Sequence, residues 1–155
     1  MIGSRRPRTL ILAAALAFAA SACSQSTKPP TIPTPTVPAH VEVQGLLVGF
    51  DSSVAGKTIP RTMAEAESIA MSLLARARAG EDFDTLVQQY TDAEYPGVYR
   101  LANTGVEPDS GEYRRILIVK EYADRAFALA VDSLGIAVYN PSSNPYGWFV
   151  IKRLQ

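Results

Sequence analysis

Proline placement divides this chain before anything else about it can be read. Of its 11 prolines, five (Pro29, Pro30, Pro33, Pro35 and Pro38) fall within the stretch from Ser24 to Ala39, among Thr and Ser. Proline fixes φ and removes a backbone donor, so this stretch cannot join a helix or a central strand. It reads as an extended, semi-rigid spacer with no packed core. A folded domain has to come from the residues beyond the spacer, His40 to Gln155. About 115 residues is an ordinary size for one domain and can bury a sufficient core without covalent staples.

The residues before the spacer read as a targeting segment. Arg5, Arg6 and Arg8 form a basic start, and Leu10 to Ala20 is apolar and uncharged. That run is shorter than the ~20 residues a membrane-crossing helix needs. It ends in Ala20-Ser21-Ala22, directly before Cys23, the only cysteine. The arrangement resembles the lipobox of bacterial lipoproteins, with Ala20 where Leu is preferred. The resemblance implies a signal peptide at 1–22, a lipid on Cys23, and a tether at 23–39. Ordinary cleavage leaving Cys23 as a spare thiol is the competing reading. Ser24, where an Asp would retain a lipoprotein at the inner membrane, implies the periplasmic face of the outer membrane in a host with two membranes. More than one acyl chain would make such an anchor lasting, because a single chain binds only marginally.

Composition excludes several classes. With one cysteine there is neither a disulfide nor a thiolate metal cluster. The formal charge is 0, and loss of Arg5, Arg6 and Arg8 with the leader takes it to −3. No basic patch exists to neutralise phosphates, which argues against a nucleic-acid partner. Nothing in the sequence asks for a metal or a cofactor.

Within 40–155 the patterns alternate between strand and helix. His40 to Phe50 reads as a strand whose Leu46-Leu47-Val48 run suggests burial on both faces, and Asp51 to Pro60 as a loop. Thr62-x-x-Glu65 is a capping box opening a helix, with Ala66, Ile69, Ala70, Leu73, Leu74 and Ala77 on one face and Gly80 closing it. A shorter helix from Asp82 carries Phe83, Leu86, Val87 and Tyr90. Tyr95-Pro96-Gly97 is a turn, Val98 to Ala102 a short strand, and Asn103 to Glu112 a polar loop. Ile116 to Val119 is an apolar run of either type. Glu121 to Val131 reads as a helix, with Tyr122, Ala126 and Leu129 on one face and Gly135 beyond its end. Ile136 to Tyr139 and Tyr146 to Leu154, joined through Pro141 to Pro145, read as a hairpin. The order β-α-α-β-α-β-β predicts an α+β domain.

Four segments then resemble the parvulin-type peptidyl-prolyl isomerases. They are Val41 to Val48 as the first strand, Ala79-Gly80-Glu81-Asp82-Phe83 with Leu86 and Tyr90-Thr91-Asp92, Tyr122 to Leu129 with Gly135, and Asn144 to Lys152 as the closing strand. The resemblance implies a parvulin-like small antiparallel sheet surrounded by about three helices over 40–155. It implies an isomerase acting on X-Pro bonds of exported proteins, with proline-containing unfolded segments as partners. At the family's polar positions, however, the two histidines fall on Gly45 and Phe149, and the Cys/Asp/Ser position falls on Ala93. Asp92 and Asn144 are the remaining polar candidates nearby. His40 lies five residues before the first histidine position, about 17 Å along a strand and on the other face, so it cannot substitute. The alignment places Ile118 and Tyr122 around proline, Tyr99 as a third wall, and Trp148 and Phe149 as added aromatic surface. The expectation is therefore an anchored isomerase of weak activity, against a non-catalytic chaperone or scaffold lipoprotein, or a structural one with a vestigial groove. Arg100 stands alone in the 99–109 stretch, which gives no sign of phosphopeptide preference.

Overall fold

A computed structural model of the chain describes residues 37–155. The segments read as signal peptide and lipidated cysteine, and nearly all of the expected tether, lie outside the described residues. Among those described, no helix is long and apolar enough to cross a membrane.

Strand β1 (His40–Val48) lies in the middle of a five-stranded sheet of order β3-β2-β1-β5-β4. Its burial on both faces explains why Leu46-Leu47-Val48 does not alternate with polar residues. Even-numbered Leu46 and Val48 face α1 (Met63–Arg78) and α2 (Phe83–Tyr90), together with Trp148 and Val150 of β5 (Trp148–Arg153). Odd-numbered Val41 and Val43 face α3 (Lys120–Ala128), with Leu101 of β2 (Val98–Ala102) and Ile151 of β5. Period-two alternation along each strand thus feeds two separate cores, one on each side of the sheet.

The helix ends follow local chemistry. Thr62 caps α1 by accepting the Glu65 N–H, and the Glu65 carboxylate accepts the Thr62 N–H at 2.7 Å. The Thr62 N–H first, and then the Thr62 hydroxyl, which donates to the same carboxylate at 2.9 Å, hold the Glu65 carboxyl below its ordinary range. Asp82 caps α2 at the Thr85 N–H at 2.8 Å and also accepts the Thr85 hydroxyl. The Thr85 hydroxyl leads in keeping its carboxyl low. At the far end of α1 the chain turns through Gly80 with φ +98°.

Several elements differ from the sequence reading: β1 ends at Val48, the last two strands are Leu134–Ala137 and Trp148–Arg153, and three differences have a structural cause. Helix α3 stops at Ala128, because Leu129 is already extended and the Arg153 guanidinium donates to the Leu129 carbonyl at 2.6 Å. Gly135, beyond the helix end as expected, lies inside β4 (Leu134–Ala137), beneath Arg125 and Leu129. The 116–119 run is neither strand nor α-helix: a single 3-10 turn, Arg115–Leu117, precedes an extended Ile118. A two-residue strand β3 (Tyr113–Arg114) pairs parallel to β2, so the sheet is mixed rather than wholly antiparallel. The other pairings, β1 with β2, β1 with β5 and β4 with β5, are antiparallel.

Candidate functional site

Sheet register decides which side chains meet on the α3 face. Gly45 of β1 pairs with Ile151 of β5, and Leu47 pairs with Phe149 two positions along. Gly45 and Phe149 therefore sit diagonally on one face, beneath α3. Tyr122, in the first turn of α3, lies over both. Its ring centroid is 5.1 Å from that of Phe149 and 6.0 Å from that of Tyr99, in edge-to-face contacts.

The phenol end of Tyr122 uses the space left by the missing side chain of Gly45. A Cβ at position 45 would stand 2.6 Å from the Tyr122 oxygen and 2.7 Å from a ring carbon, closer than real Cβ contacts come. Thus the two positions depend on each other: the glycine admits the ring, and the ring fills what would otherwise be a hole. Tyr122 is only 3 % exposed, and its hydroxyl is buried without a hydrogen-bond partner. Burial drives its pKa far above the ordinary phenol value, so the group stays protonated. Tyr99 is shifted up as well, by burial first and then by Tyr113 and Glu94.

Above this floor a groove of about 190 Å³ opens, lined by Tyr99, Leu117, Ile118, Val119, Tyr122 and Phe149. The space is several times the roughly 30 Å³ share of one water, and no lining side chain carries a charge. Four of the five substrate-binding residues expected from sequence, Tyr99, Ile118, Tyr122 and Phe149, are brought together here.

The fifth, Trp148, is not. Alternation along β5 turns it to the opposite face, where it is 4 % exposed and packs against Tyr139 and Phe50 with ring centroids 5.6 and 6.3 Å away. It belongs to the α1–α2 core.

The polar candidates are also used elsewhere. Asp92 lies in the loop after α2, which runs along β1 beyond the end of β2. There the Asp92 N–H donates to the Leu47 carbonyl at 2.8 Å, and the Asp92 carboxylate accepts the Gly49 N–H at 2.8 Å and Arg61 at 2.6 Å. It is a loop anchor, neither a groove residue nor a solvated turn carboxylate. Ala93, next to it, does not line the groove. Asn144 is fully buried, and its amide nitrogen donates to the Val138 and Gly147 carbonyls, both at 2.8 Å. It holds the turn between β4 and β5 closed. His40 lies at the remote end of β1, hydrogen-bonded to Glu112 at 2.8 Å.

Leu117 and Val119 were not singled out from sequence as groove residues. Their signal was the unpatterned apolar run directly before α3. Leu117 is 74 % exposed and Ile116 is 81 % exposed, the largest exposures of large hydrophobics among the described residues. The turn bearing them is held by Arg115, which donates to Asn103 at 2.8 Å and to Asp124 at 2.6 Å and lies over the Phe127 ring. Lys120, first, and Arg115 lower the Asp124 pKa.

No family model matches the chain, and no curated protein does. Solved structures do. The domain is similar to the peptidyl-prolyl isomerase ESS1 from Candida albicans, with a TM-score of 0.57 and 19 % identity over 76 % of this chain and 63 % of that one. It is similar also to the TbPIN1 solution structure, with a TM-score of 0.56 and 19 % identity over 76 % of this chain and 98 % of that one. Both are of the parvulin type. The fold is the parvulin fold. In this version of it, the residues between the central strands and α3 are apolar or aromatic, with the buried Tyr122 hydroxyl as the one side-chain polar group over Gly45.

Proposed function

We propose that this domain takes X-Pro segments of exported, unfolded proteins into the groove, as a parvulin-like isomerase whose turnover is slow. The carrying observation is the uncharged groove of Tyr99, Leu117, Ile118, Val119, Tyr122 and Phe149. A proline ring is apolar and compact, and aromatic walls give it contact area with few rotamers to freeze. Rotation about the X-Pro bond requires neither proton transfer nor a metal, only preference for the twisted amide over the planar one. The uncatalysed barrier is about 18–20 kcal/mol. Oriented dipoles near the amide are the usual means of lowering such a barrier, and Gly45, Ala93 and Phe149 supply no polar side chain for it.

A second reading, binding without turnover, is favoured by the Tyr122 phenol closed over Gly45. That ring fills the floor with an aromatic surface and leaves its own hydroxyl buried. One experiment separates the two. A proline peptide with both isomers visible by NMR is mixed with the protein, and resonance shifts and cis/trans exchange rates are followed together. Shifts at Tyr99, Ile118 and Phe149 with faster exchange are the expected result. The same shifts at an unchanged rate would leave a binding module. No shifts at high protein concentration would end both readings.

Anchoring at the envelope rests on Arg5 to Cys23. Mass analysis of the membrane-extracted chain should show loss of residues 1–22 and a diacylglyceryl adduct on Cys23. Cys23→Ala is expected to move the protein from the membrane fraction to the soluble one. An unmodified thiol at Cys23 would overturn the anchor.

A further inference from the structure

The chain's single histidine sits in a cluster that the groove does not use. The loop after β2 returns over the start of β1: the Asn103 N–H donates to the Ala39 carbonyl at 2.8 Å and its side-chain amide to the Pro38 carbonyl at 2.9 Å. Further along, that loop brings Asp109 and Glu112 to His40. The Glu112 carboxylate pairs with His40 Nδ1 at 2.8 Å and accepts the Asp109 N–H at 2.9 Å. One ligand-capable atom from each of His40, Asp109 and Glu112 lies within 4.8 Å of the other two. The Glu112 side chain is 3 % exposed, so the carboxylate is held rather than mobile. A concavity of about 210 Å³ opens at the cluster, lined also by Glu42 and Arg100.

We propose that His40, Asp109 and Glu112 bind a divalent transition-metal cation, zinc foremost. An imidazole nitrogen with two carboxylate oxygens is a donor set such ions accept, leaving a fourth position for water. Ligand atoms at about 2.1 Å from a tetrahedral ion stand about 3.4 Å apart. Asp109, which is exposed, supplies the needed movement by a rotamer change. Charge fits as well. Glu42, Asp109 and Glu112 face one guanidinium, Arg100, which leaves an excess of two negative charges among the side chains beside the imidazole. Arg100 stands 3.7 Å from Glu112 and 3.8 Å from Glu42 and is half exposed, so it can swing to solvent as the ion enters. His40 ligates through Nδ1, so in the neutral ring the hydrogen resides on Nε2. The bound ion would brace the 103–112 loop against the first residue of β1. That loop continues into β3 and the turn carrying Leu117, so the brace also steadies one rim of the groove. The site itself stands whether or not proline segments bind there.

The test titrates zinc chloride into the full chain by calorimetry, with NMR of the one imidazole as a second readout. Uptake of a single ion is expected, with the His40 ring signals shifting as it binds. His40→Ala and Asp109→Asn, both at exposed positions, should each weaken binding by about tenfold or more, as loss of one of three ligands requires. Calcium and magnesium, which prefer all-oxygen sites, should bind more weakly than zinc. Absence of uptake by the folded wild-type chain overturns the proposal. So does uptake that His40→Ala leaves unchanged, which would assign the ion to another donor such as the Cys23 thiol.

Discussion

Adding one methyl group at position 45 is expected to destabilise the domain by about 1–3 kcal/mol, the usual cost of overpacking a filled core. Gly45→Ala places a Cβ 2.6 Å from the Tyr122 oxygen. The ring cannot turn aside freely, because Tyr99 and Phe149 hold its edges. In isolation the same change would favour folding slightly, since glycine in a strand interior is the less favourable residue. The sign of the measured effect therefore reports on Tyr122. In a Tyr122→Leu background the clash is gone, and Gly45→Ala should become neutral or stabilising. Urea denaturation of the four proteins gives the coupling directly, expected to lie within about 0.5–3 kcal/mol. Additive effects would mean that the ring and the glycine do not share the space described. The cycle also bears on rebuilding the polar site. Gly45→His with Phe149→His cannot seat both imidazoles while Tyr122 remains, so a rebuilt isomerase needs a smaller residue at 122 as well.

Asp92→Ala is expected to cost about 2–4 kcal/mol, from loss of a charged acceptor shared by two donors. The Gly49 N–H would lose its partner, and the partly buried Arg61 guanidinium would keep only the Gly49 carbonyl at 3.3 Å. The loop after α2 would then be held to β1 by backbone bonds and the Thr91 hydroxyl, which accepts the Leu47 N–H at 3.2 Å. Asp92→Asn keeps an oxygen for Gly49 and should recover part of the loss. Under conditions where the variant is folded, peptide-induced shifts at Tyr99 and Ile118 should match those of the wild type. A stability change below about 0.5 kcal/mol would show that the anchor is dispensable. Lost peptide shifts in a folded variant would return Asp92 to the groove.

How much of the fold and the groove was legible in the sequence depends on the range of the interactions. Thr62 and Asp82 cap their helices through bonds three residues away, so spacing alone located both starts. The buried face of α1 was legible for the same reason. The end of α3 was not: Arg153 reaches the Leu129 carbonyl across 24 residues, and no local pattern marks it. β3 was missed because two residues give no period at all. At the groove, resemblance supplied Tyr99, Ile118, Tyr122 and Phe149. Trp148 was misplaced because an aromatic in a closing strand looks the same on either face until register fixes the alternation. Asp92 and Asn144 were candidates because they are polar and near in sequence. Backbone donors and carbonyls that only the fold brings close had already engaged them. The fit of Tyr122 over Gly45 joins residues 77 positions apart, and a glycine in a strand says only that something approaches closely.

The placement of the short strands would have a consequence if the domain takes up unfolded chains as proposed. An exposed strand edge offers unpaired backbone groups to any extended segment, and a long flat edge invites continued pairing and aggregation. Here the long strands β1 and β5 are interior. The edges are β3, of two residues, the 98–100 part of β2 that β3 leaves unpaired, and β4, of four. None is long enough to template an extended segment over more than a few residues. An extended chain in the proposed groove would then be left with side-chain contacts as its main hold on the domain.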